Sequence, residues 1–438
     1  MIMKKIFKKL ITRIITWEAA TAIRRYKPKI ICVTGSVGKT STKEAIYTVL
    51  ANKFKVRKSQ RSSNSEIGVS LTILGCEDTR QNPLIWLRTI IEGFLLVILP
   101  HRYPQWLVLE IGADRPGDIK KISSWLKPDI TVITRFGDVP AHIEFFSSVD
   151  DLVREKGYIV KALKPGGTLI YNSDDERIAS FVEHISEKKI TYGFGPGVDV
   201  LASNDEIAYG NYDHSDLEFP KGVTFKIDHS GSSIPIQLNG SLGRQHIYPM
   251  LAAFAVGIST GMNPVEIETA LSTHSAPPGR MKLLAGIKET LIVDDTYNAS
   301  PIAVHEGLKT LFGLETAGRK IAVLGDMMEL GEHSIEEHRR IGEVAAKLAD
   351  ILMTVGVRAR GIADAALDAG IDEGKVFQFE SAQEAGKYLE SIIGYGDIVF
   401  VKGSQAMRME RVVEEIMQYP KDKGRLLVRQ DSRWQSRK

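Results

Sequence analysis

Cysteine is scarce in this chain of 438 residues, which contains only Cys32 and Cys76. Two cysteines cannot form a disulfide framework or a paired-cysteine metal site, so a disulfide-stapled secreted scaffold and a zinc domain of that type are excluded. Cys32 falls inside an apolar run, and we expect it to be a small buried side chain. This cysteine usage indicates a protein of the reducing cytoplasm.

An excess of charge of one sign is also missing. The chain has 57 Lys and Arg residues against 54 Asp and Glu residues, which gives a formal net charge of +3. Because this imbalance is so small, we expect no nucleic-acid partner. With 43% hydrophobic and 25% charged residues the composition is that of an ordinary globular protein, and the length predicts two or three domains.

No apolar run is long enough to span a bilayer, although two stretches have part of a membrane signature. Residues 85–100, "IWLRTIIEGFLLVILP", contain Arg88 and Glu92 and are too short and too charged to cross, so we expect a core helix there. Residues 1–17, "MIMKKIFKKLITRIITW", predict a basic amphipathic helix. Its apolar face would carry Met3, Ile6, Phe7, Leu10, Ile11, Ile14 and Ile15, and the remainder would carry Lys4, Lys5, Lys8, Lys9 and Arg13. The segment 1–28 either lies on an anionic membrane surface or packs on its own domain.

Short apolar runs alternate with helical stretches from residue 29 onward. Residues 106–112, 129–137 and 167–175 have the composition of strands that end in polar or glycine residues. This alternation predicts an α/β fold with a doubly wound, mostly parallel sheet and a ligand site at the carboxyl ends of its strands. Residues 191–243 are rich in Gly, Asp and Ser and alternate in short pieces, which predicts a small antiparallel annex.

A Pro- and Gly-rich joint, "HSAPPGRM" at residues 274–281, is the predicted domain boundary. Strand-like runs with polar ends follow it and predict a second, Rossmann-like α/β domain. We therefore predict an amphipathic helix, a central domain, a C-terminal domain and a basic tail that is loosely docked or disordered. Their bounds are 1–28, 29–276, 277–418 and 419–438.

The stretch "GSVGKT" at residues 35–40 lies between an apolar strand and a helix-forming segment. The strict phosphate-loop pattern has another glycine where this chain has Val33. A glycine-rich turn before a helix nonetheless directs backbone N–H groups and a helix N-terminus at one point. Lys39 adds a positive charge there, and the Thr40 hydroxyl is placed to bind Mg²⁺. A plain turn with an exposed lysine would need neither the two glycines nor the hydroxyls.

Other polar residues follow predicted strands. Glu110 ends the strand "WLVLE" and is either a Mg²⁺ ligand at the same sheet edge or a solvated acid. His142 either reaches the same ion or is a packed histidine, and Lys156, on a helix, would by position alone be a surface residue. In the second half Asp294 and Asp295 could hold ribose hydroxyls, hold a metal or cap a turn. Lys402 and Ser404 end another strand, where they could grip an anion.

Seven motifs resemble, in this order, those of the Mur ligases. They are "TGSVGKTSTK", "EIG", "AHIEFF", "PPGRMK", "DDTYNASP", "GDMMELGE" and "VKGSQAMRME", within roughly residues 29–415. The resemblance implies an ATP- and Mg²⁺-dependent, amide-forming ligase of cell-wall precursor synthesis that works through an acyl phosphate. Within the family it implies the member that adds D-Ala-D-Ala to a UDP-MurNAc-tripeptide.

The resemblance also implies a role for individual residues. Nucleotide binding would fall to Gly35, Ser36, Gly38, Lys39, Thr40, Ser41, Arg280 and Asp295. Thr40 and Glu110 would hold one Mg²⁺, and His142 would help hold a second. Lys156 matches the family's carbamylated lysine, whose anionic carbamate can hold metal. The expected catalytic residues are therefore Lys39, Glu110, His142 and Lys156, and the residues expected to face the amino substrate are Asn298, Ser300, Glu329 and Ser404.

The chain departs from the family pattern at several points. Members of the family carry a further domain before the ATP loop, which grips the uridine nucleotide, whereas residues 1–28 precede the loop here. Proline is usual at Ser70, arginine is usual at Gln405, and an acid is usual at Tyr158. Substitutions in the motif for the adenine contacts are Gln245, His246 and Pro249.

Three functions remain open from the sequence. The first is the precursor ligase, a cytoplasmic monomer acting on a nucleotide-linked peptide and a dipeptide, with peripheral contact to the inner membrane face through residues 1–28. The second is a Mur-like ligase for a lipid-linked or polymeric carboxylate, which the amphipathic N-terminus favours. The third is a non-catalytic nucleotide-binding scaffold, which would not need a complete metal and phosphate shell.

Overall fold

The computed structural model describes residues 2–60, 64–76, 83–136, 145–183, 185–211, 217–431 and 434, with side chains from residue 10 onward except at 83, 84, 179 and 180. Its helices are α1 (Ile2–Tyr26), α2 (Lys39–Ala51), α3 (Glu66–Leu74), α4 (Pro83–Ile98), α5 (Asp118–Trp125), α6 (Val149–Lys161), α7 (Glu176–Val182), α8 (Ile247–Ser259), α9 (Pro264–Ser272), α10 (Pro301–Phe312), α11 (Ser334–Leu348), α12 (Arg360–Asp368), α13 (Ala382–Ile392), α14 (Glu410–Ile416) and α15 (Lys423–Leu426). Its strands are β1 (Lys29–Thr34), β2 (Val56–Lys58), β3 (Trp106–Glu110), β4 (Ile130–Ile133), β5 (Thr168–Asn172), β6 (Lys188–Gly193), β7 (Val200–Asn211), β8 (Glu218–His229), β9 (Ser232–Asn239), β10 (Lys282–Gly286), β11 (Thr290–Asp295), β12 (Lys320–Gly325), β13 (Ile351–Val355), β14 (Val376–Phe379) and β15 (Ile398–Lys402).

The first sheet has nine strands in the order β2-β3-β1-β4-β5-β6-β7-β8-β9. Pairing is parallel from β2 to the start of β7 and antiparallel between β7, β8 and β9. Both faces of β1 are covered, because Ile31 and Val33 belong to one hydrophobic core and Ile30 and Cys32 to another. The predicted doubly wound sheet is confirmed, and the predicted antiparallel annex continues that same sheet.

The second sheet has six strands in the order β10-β11-β15-β12-β13-β14. β10 pairs antiparallel with β11, and the other neighbours are parallel. The Rossmann-like second unit expected from the sequence is therefore confirmed. An isolated bridge between Ser241 and Lys282 and a hydrogen bond from Leu283 N to Gly240 O at 3.0 Å tie it to the end of β9. The domain bounds themselves stay a prediction.

The strand registers determine which polar residues meet. In the first sheet Val33 of β1 lies opposite Glu110, the last residue of β3. In the second sheet Asp295 of β11 lies opposite Lys402 of β15. Because the carboxyl ends of parallel strands share one edge, each pair is presented at the edge where a ligand binds.

The N-terminal helix forms as predicted, but the predicted apolar stripe is only partly correct. α1 packs on α3 and α4, and its buried apolar side chains from residue 10 onward are Ile11, Ile15, Ala19 and Ala22. Leu10, which was placed in the stripe, is 56% exposed, because the buried face is centred one residue further along the helix. The side chains of Met3, Ile6 and Phe7, also placed in that stripe, lie outside the described residues.

The helix predicted at residues 85–100 is confirmed, but it is not a core helix, because one side of it is exposed. α4 packs mainly on α1, with Thr89, Gly93 and Leu96 buried in that contact and the Tyr26 hydroxyl donating to Leu96 O at 2.8 Å. Its other side is exposed. An apolar run predicts burial, but the sequence could not show that α4 is covered on one side only. Along the part of the chain that the structure describes, no helix is both long and apolar enough to cross a bilayer.

Glu18 is a buried carboxyl at the contact between α1 and α4. A Cβ on Gly93 would lie 2.3 Å from Glu18 Oε2, and this oxygen has no hydrogen-bond partner among the described residues. Burial raises the pKa of Glu18 from 4.5 to about 7. Since the folded protein then holds this proton more tightly than the unfolded chain does, Glu18 lowers the stability as the pH rises through that interval.

We expect Glu18→Gln to raise the free energy of unfolding by about 1–3 kcal/mol near pH 8 and to change it little near pH 5. Urea unfolding at both pH values measures the effect. Glu92→Gln, on α4 at a side chain that is 46% exposed, is the matched control and should leave the pH dependence unchanged. An equal gain at both pH values would contradict the raised pKa.

Candidate active site

A cavity of about 860 Å³ lies between the carboxyl edges of the two sheets. Residues of the loop after β1 and the end of β3 line one side, and residues after β11, β12 and β15 line the other. The site residues predicted from sequence that the cavity brings together are Gly35, Ser36, Gly38, Lys39, Thr40, Ser41, Glu110, Lys156, Arg280, Asp295, Asn298, Ser300, Glu329 and Ser404. The remaining one, His142, lies outside the described residues.

Two glycines with positive φ shape the loop after β1. The φ angle is +140° at Gly35 and +84° at Gly38. A Cβ on Gly35 would lie 2.0 Å from Thr134 Oγ1, so a side chain there would both clash and strain the backbone. The Ser36 N–H donates to Arg135 O at 2.7 Å, which fixes the loop against the end of β4. α2 begins directly after this turn, so its N-terminus faces the cavity.

The Lys39 ammonium folds back over its own loop. Its Nζ donates to Gly35 O at 2.9 Å and to Ser36 O at 3.2 Å. Burial lowers the pKa of Lys39, and the neighbouring Glu110 carboxylate opposes that change. Both acceptors are uncharged carbonyls, so an incoming anion would be a stronger partner for this amine.

Thr40 and Glu110 bring two oxygen ligands together at the start of α2. Thr40 Oγ1 donates to Glu110 Oε2 at 3.1 Å, and Lys43 Nζ lies 3.8 Å from the same carboxylate oxygen. Lys43 is fully buried and also donates to Ser59 O at 2.8 Å. The sequence reasoning missed Lys43, although its position one helical turn after Lys39 is a signal that could have found it.

The donor set fits Mg²⁺ bound together with phosphate. Among the described residues, no group of three or more His, Cys, Asp and Glu side chains is arranged to hold a metal ion. Mg²⁺ is commonly held by one or two protein oxygens together with substrate phosphates and water. The Thr40 hydroxyl and the Glu110 carboxylate are ligands of that kind.

Lys156 is buried, contrary to the surface position that its place on a helix indicated. Its Nζ donates to Ser36 Oγ at 2.7 Å and lies 5.5 Å from the centre of the Phe136 ring. Burial, followed by the positive charge of Lys39, lowers the pKa of Lys156 well below its ordinary value. The neutral amine is therefore favoured in a way that is unusual for lysine.

On the opposite wall, Asp295 and Lys402 form a buried ion pair. Their Oδ2 and Nζ atoms are 2.5 Å apart, and Lys402 Nζ also donates to Asn298 O at 2.9 Å. Met281 N, in the joint between the sheets, donates to Asp295 Oδ1 at 3.2 Å. Burial lowers the pKa of Lys402, and Asp295 opposes this effect. Asp295 thus connects the joint to β15.

Asp294 and Arg280 have different surroundings. Asp294 caps the turn after β11, since Thr296 N and Oγ1 both donate to its Oδ1, and burial raises its pKa to about 6. The Arg280 guanidinium lies 4.0 Å from the centre of the Tyr297 ring, and its buried Nε has no partner among the described residues. Arg280 therefore keeps a donor free in the wall of the cavity, while Asp294 is committed to the turn.

The far end of the second unit supplies polar groups to the same cavity. Met328 N donates to Ser404 Oγ at 2.8 Å, and Gln405 N donates to Asn298 Oδ1 at 3.4 Å. Glu329 has a φ of +64°. These contacts hold the loops after β11, β12 and β15 against each other.

Three of the departures from the expected pattern lie at the cavity, namely Gln245, His246 and Gln405. Burial, followed by the charge of His274, lowers the pKa of His246 to about 3. His246 Nε2 is buried without a hydrogen-bond partner in the described structure, so a neutral imidazole nitrogen is available to a ligand.

The other departures lie elsewhere. Ser70 Oγ is 3.3 Å from Thr16 Oγ1, within the contact between α3 and α1. Lys120 Nζ lies 5.6 Å from the centre of the Tyr158 ring, and Pro249 is buried in the first turn of α8. These positions affect helix packing and do not line the cavity.

The prediction of a loosely docked or disordered tail is wrong for the described part of the tail. Arg429 is 9% exposed, and its Nε and Nη2 atoms donate to Glu410 Oε2 at 2.9 and 2.7 Å. The same guanidinium donates to the carbonyl oxygens of Thr296 and Tyr297, in the loop that carries the site residues after β11. The basic tail is docked here because Arg429 pairs with the buried carboxylate of Glu410. The sequence could not show this contact between distant segments.

Several cavity residues were not predicted. Trp434 lines the cavity, and its carbonyl accepts a hydrogen bond from Arg408 Nη1 at 2.9 Å. Arg135, Arg358 and Arg408 also line it. The sequence gives no signal for Trp434, because its contact depends on the path of the tail.

Two family models match the chain. The Mur ligase middle domain matches residues 33–86 and 94–257, and the glutamate ligase domain of Mur ligases matches residues 279–405. Together they cover both sheets and most of the cavity.

Similar curated proteins and solved structures carry consistent names. The UDP-N-acetylmuramoyl-tripeptide–D-alanyl-D-alanine ligase of Bacillus subtilis is 28% identical over 393 residues, which are 90% of this chain and 76% of that protein. The protein of the same name from Escherichia coli is 28% identical over 412 residues, or 93% of this chain and 81% of that one. The crystal structure of MurF ligase from Thermotoga maritima in complex with ADP has a TM-score of 0.75 at 27% identity, covering 92% of this chain and 83% of that one.

We expect Arg429→Ala to lower the free energy of unfolding by about 3 kcal/mol, because it leaves Glu410 buried with one fewer partner. It should also lower kcat/KM about tenfold, since the loop after Asp295 loses the guanidinium that holds it. Denaturant unfolding and phosphate release measure the two effects. Arg425→Ala, at a side chain that is 75% exposed, is the control. If both variants behave alike, Arg429 does not hold the loop.

Proposed function

The chain belongs to the Mur ligase family, and we propose that it adds D-Ala-D-Ala to the tripeptide of a UDP-MurNAc precursor. Membership of the family makes it an ATP-dependent, amide-forming ligase. The proposed identity of the substrates rests on the names of two similar proteins, each 28% identical to this chain. The observation that carries the proposal is a cavity in which the loop after β1 of the first sheet faces Asp295, Asn298 and Ser404 of the second.

The proposed reaction has two steps. The γ-phosphoryl group of ATP passes to the terminal carboxylate of the tripeptide, so that the bond to ADP breaks as a phosphorus–oxygen bond to the carboxylate forms. The amine of the dipeptide then attacks the acyl carbon, phosphate leaves with its electron pair, and the amine loses a proton as the amide forms. Mg²⁺, held by Thr40 and Glu110, would neutralise the charge of the phosphates.

Lys39 and its loop would hold the phosphates. Lys39 Nζ donates to the carbonyls of Gly35 and Ser36. A phosphate oxygen would replace those acceptors, and its negative charge would oppose the effect of burial on the pKa of Lys39. The lysine would then stay charged during phosphoryl transfer, together with the N–H groups at the start of α2.

The second wall would hold the nucleotide and the amine. Arg280, with a free buried Nε, and Asp295 would contact the nucleotide. The residues that would face the amino substrate are Asn298, Ser300, Glu329 and Ser404, all of which line the cavity. The role of His142 in a second metal site stays a prediction.

Lys156 would react as the neutral amine with CO₂ to form a carbamate and release a proton. The lowered pKa of Lys156 favours this amine, and the charge of Lys39 that lowers it would attract the carbamate anion instead. Ser36, 2.7 Å from Nζ, has a hydroxyl that could donate to the anion. Carbamylation would thus replace a neutral amine beside Lys39 with an anion that Lys39 attracts.

The working unit would be a monomer in the cytoplasm. One chain supplies both walls of the cavity, which supports a monomer. Cys32 and Cys76 are both free thiols, which fits a reducing compartment.

We expect Lys39→Ala to reduce ATP-dependent ligation about a hundredfold or more, because it removes a positive charge from the transferring group. Phosphate release from ATP with UDP-MurNAc-tripeptide and D-Ala-D-Ala measures it, with mass spectrometry of the amide product. Lys53→Ala, just beyond the end of α2 at a side chain that is 41% exposed, is the matched control.

Two results would count against the proposal. Near-normal turnover in Lys39→Ala would overturn the role of the phosphate loop. Turnover of the unaltered protein with a lipid-linked or polymeric carboxylate, and none with the nucleotide-linked tripeptide, would contradict the substrate and leave the ligase chemistry intact.

We expect Lys156→Ala to lose about a hundredfold or more in activity and to regain part of it with added short carboxylic acids, which replace the missing anion. A carbamate signal in ¹³C NMR with labelled bicarbonate should be present in the unaltered protein and absent in this variant. It should strengthen as the pH rises, because the neutral amine reacts. Lys161→Ala, at an exposed lysine of the same helix, should keep both signal and activity. A missing signal in the unaltered protein would exclude the carbamate.

A further inference from the structure

We propose that the exposed side of α4 docks on an anionic membrane surface and that the basic N-terminal half of α1 faces the same surface. We call the six apolar residues of this side the α4 face. They are Leu87, Ile91, Phe94, Leu95, Ile98 and Leu99. The proposal goes beyond the ligase reaction and does not depend on its substrates.

The α4 face is one continuous stripe. Its residues are spaced by three or four positions from Leu87 to Ile98, which places them on one side of a helix. Each of the six is between 43% and 57% exposed, although large apolar side chains of this number rarely share one open surface. An interfacial helix buries such a stripe at the boundary between head groups and acyl chains.

The stripe is not needed for packing within the molecule. α4 already has a buried side, which carries Thr89, Gly93 and Leu96, and it packs on α1. α1 in turn packs on α3, and α3 on β3, so that α4 is the outermost of these layers. An outer helix needs one apolar side, and α4 has two.

The charge around the α4 face fits anionic lipid. The basic residues in the first four turns of α1 are Lys4, Lys5, Lys8, Lys9 and Arg13. Glu18 is the one acidic residue among the first 43 residues of the chain, and it is buried. Basic residues near an anionic surface are attracted to it, and an exposed tryptophan such as Trp17, at 53%, is typical of a membrane interface.

The α4 face is less suited to binding a second copy of the chain than to binding lipid. In a two-fold dimer the same patch meets itself, so the basic segments of α1 would approach each other. Beside the α4 face, Arg88 and Glu92 pair with each other at 2.7 Å, so the one acid of α4 already has a cationic partner. A surface that is both apolar and negatively charged complements this face, and a lipid bilayer with anionic head groups is such a surface.

The match to the family model covers only part of the α4 face, because Leu87 and Ile91 lie outside it while the other four residues of the face lie inside it. The matched middle domain begins at residue 33 and omits residues 87–93. α1 and the centre of α4 therefore lie outside the part of the chain that matches the family's nucleotide chemistry. Among the described residues, none from α1 or from residues 87–93 lines the cavity.

Sedimentation of the full-length protein with vesicles tests the proposal. We expect binding to vesicles of phosphatidylcholine with phosphatidylglycerol, weaker binding at high salt and little binding to phosphatidylcholine alone. Ile91→Asp/Phe94→Asp should reduce the binding about tenfold or more, because it puts two acids into the stripe. Val265→Asp/Ile335→Asp, at residues 69% and 78% exposed outside α1 and α4, is the matched control and should bind normally.

Three results would overturn the proposal. One is the absence of vesicle binding by the unaltered protein, and another is equal binding by the two double variants. The third is a dimer in analytical ultracentrifugation that the α4 variant dissociates while vesicles are not bound, since this would assign the face to self-association. Phosphate release should be the same in both double variants, so failure of the membrane proposal and failure of the ligase proposal give different results.

Discussion

The structure depends on holding several cations, with little access to water, around one cavity. Lys43, Lys156 and Lys402 are buried at the inner edges of the two sheets, and Lys39 is partly buried there. Removing a charged amine from water is unfavourable unless an anion or a set of hydrogen bonds replaces the solvent. This loss of solvation is the largest cause of the lowered pKa values of Lys39, Lys156 and Lys402. A bound polyphosphate would offset it, which ties the folded architecture to its ligand.

The four lysines differ in the chemical group that each ammonium contacts. Lys43 lies beside Glu110, and Lys402 is paired with Asp295, so both have permanent carboxylate partners. Lys39 is bonded to carbonyls and Lys156 to a hydroxyl, and both acceptors are neutral. Carboxylate partners resist exchange with a ligand, whereas neutral ones yield to an anion. The two lysines with neutral partners are therefore the ones poised to meet new negative charge, and both adjoin the same residue, Ser36.

The sequence predicted most of the fold and most of the candidate residues that line the cavity, because strand ends and glycine turns are local features. The apolar run of β1, the turn at Gly35 and Gly38 and the acid after β3 sufficed to place the phosphate loop. Contacts between distant segments were missed, such as that between Arg429 and Glu410. The exposed side of α4 was missed as well, since hydrophobicity predicts burial without naming the partner. The prediction of a carbamate on Lys156 came from family resemblance alone, and no spacing argument would have given it.

Two packed helices, α3 and α1, connect the cavity to the α4 face. α3 begins after Asn64, which lines the cavity and whose carbonyl accepts a hydrogen bond from Gly112 N at 3.1 Å. The side chains of α3 then pack against α1, where Thr16 and Ser70 meet. Nine residues of helix span about 14 Å. Docking through α4 would therefore hold the cavity within a few nanometres of the lipid surface without adding a residue to it. Such an arrangement changes where the reaction happens and leaves its chemistry unchanged.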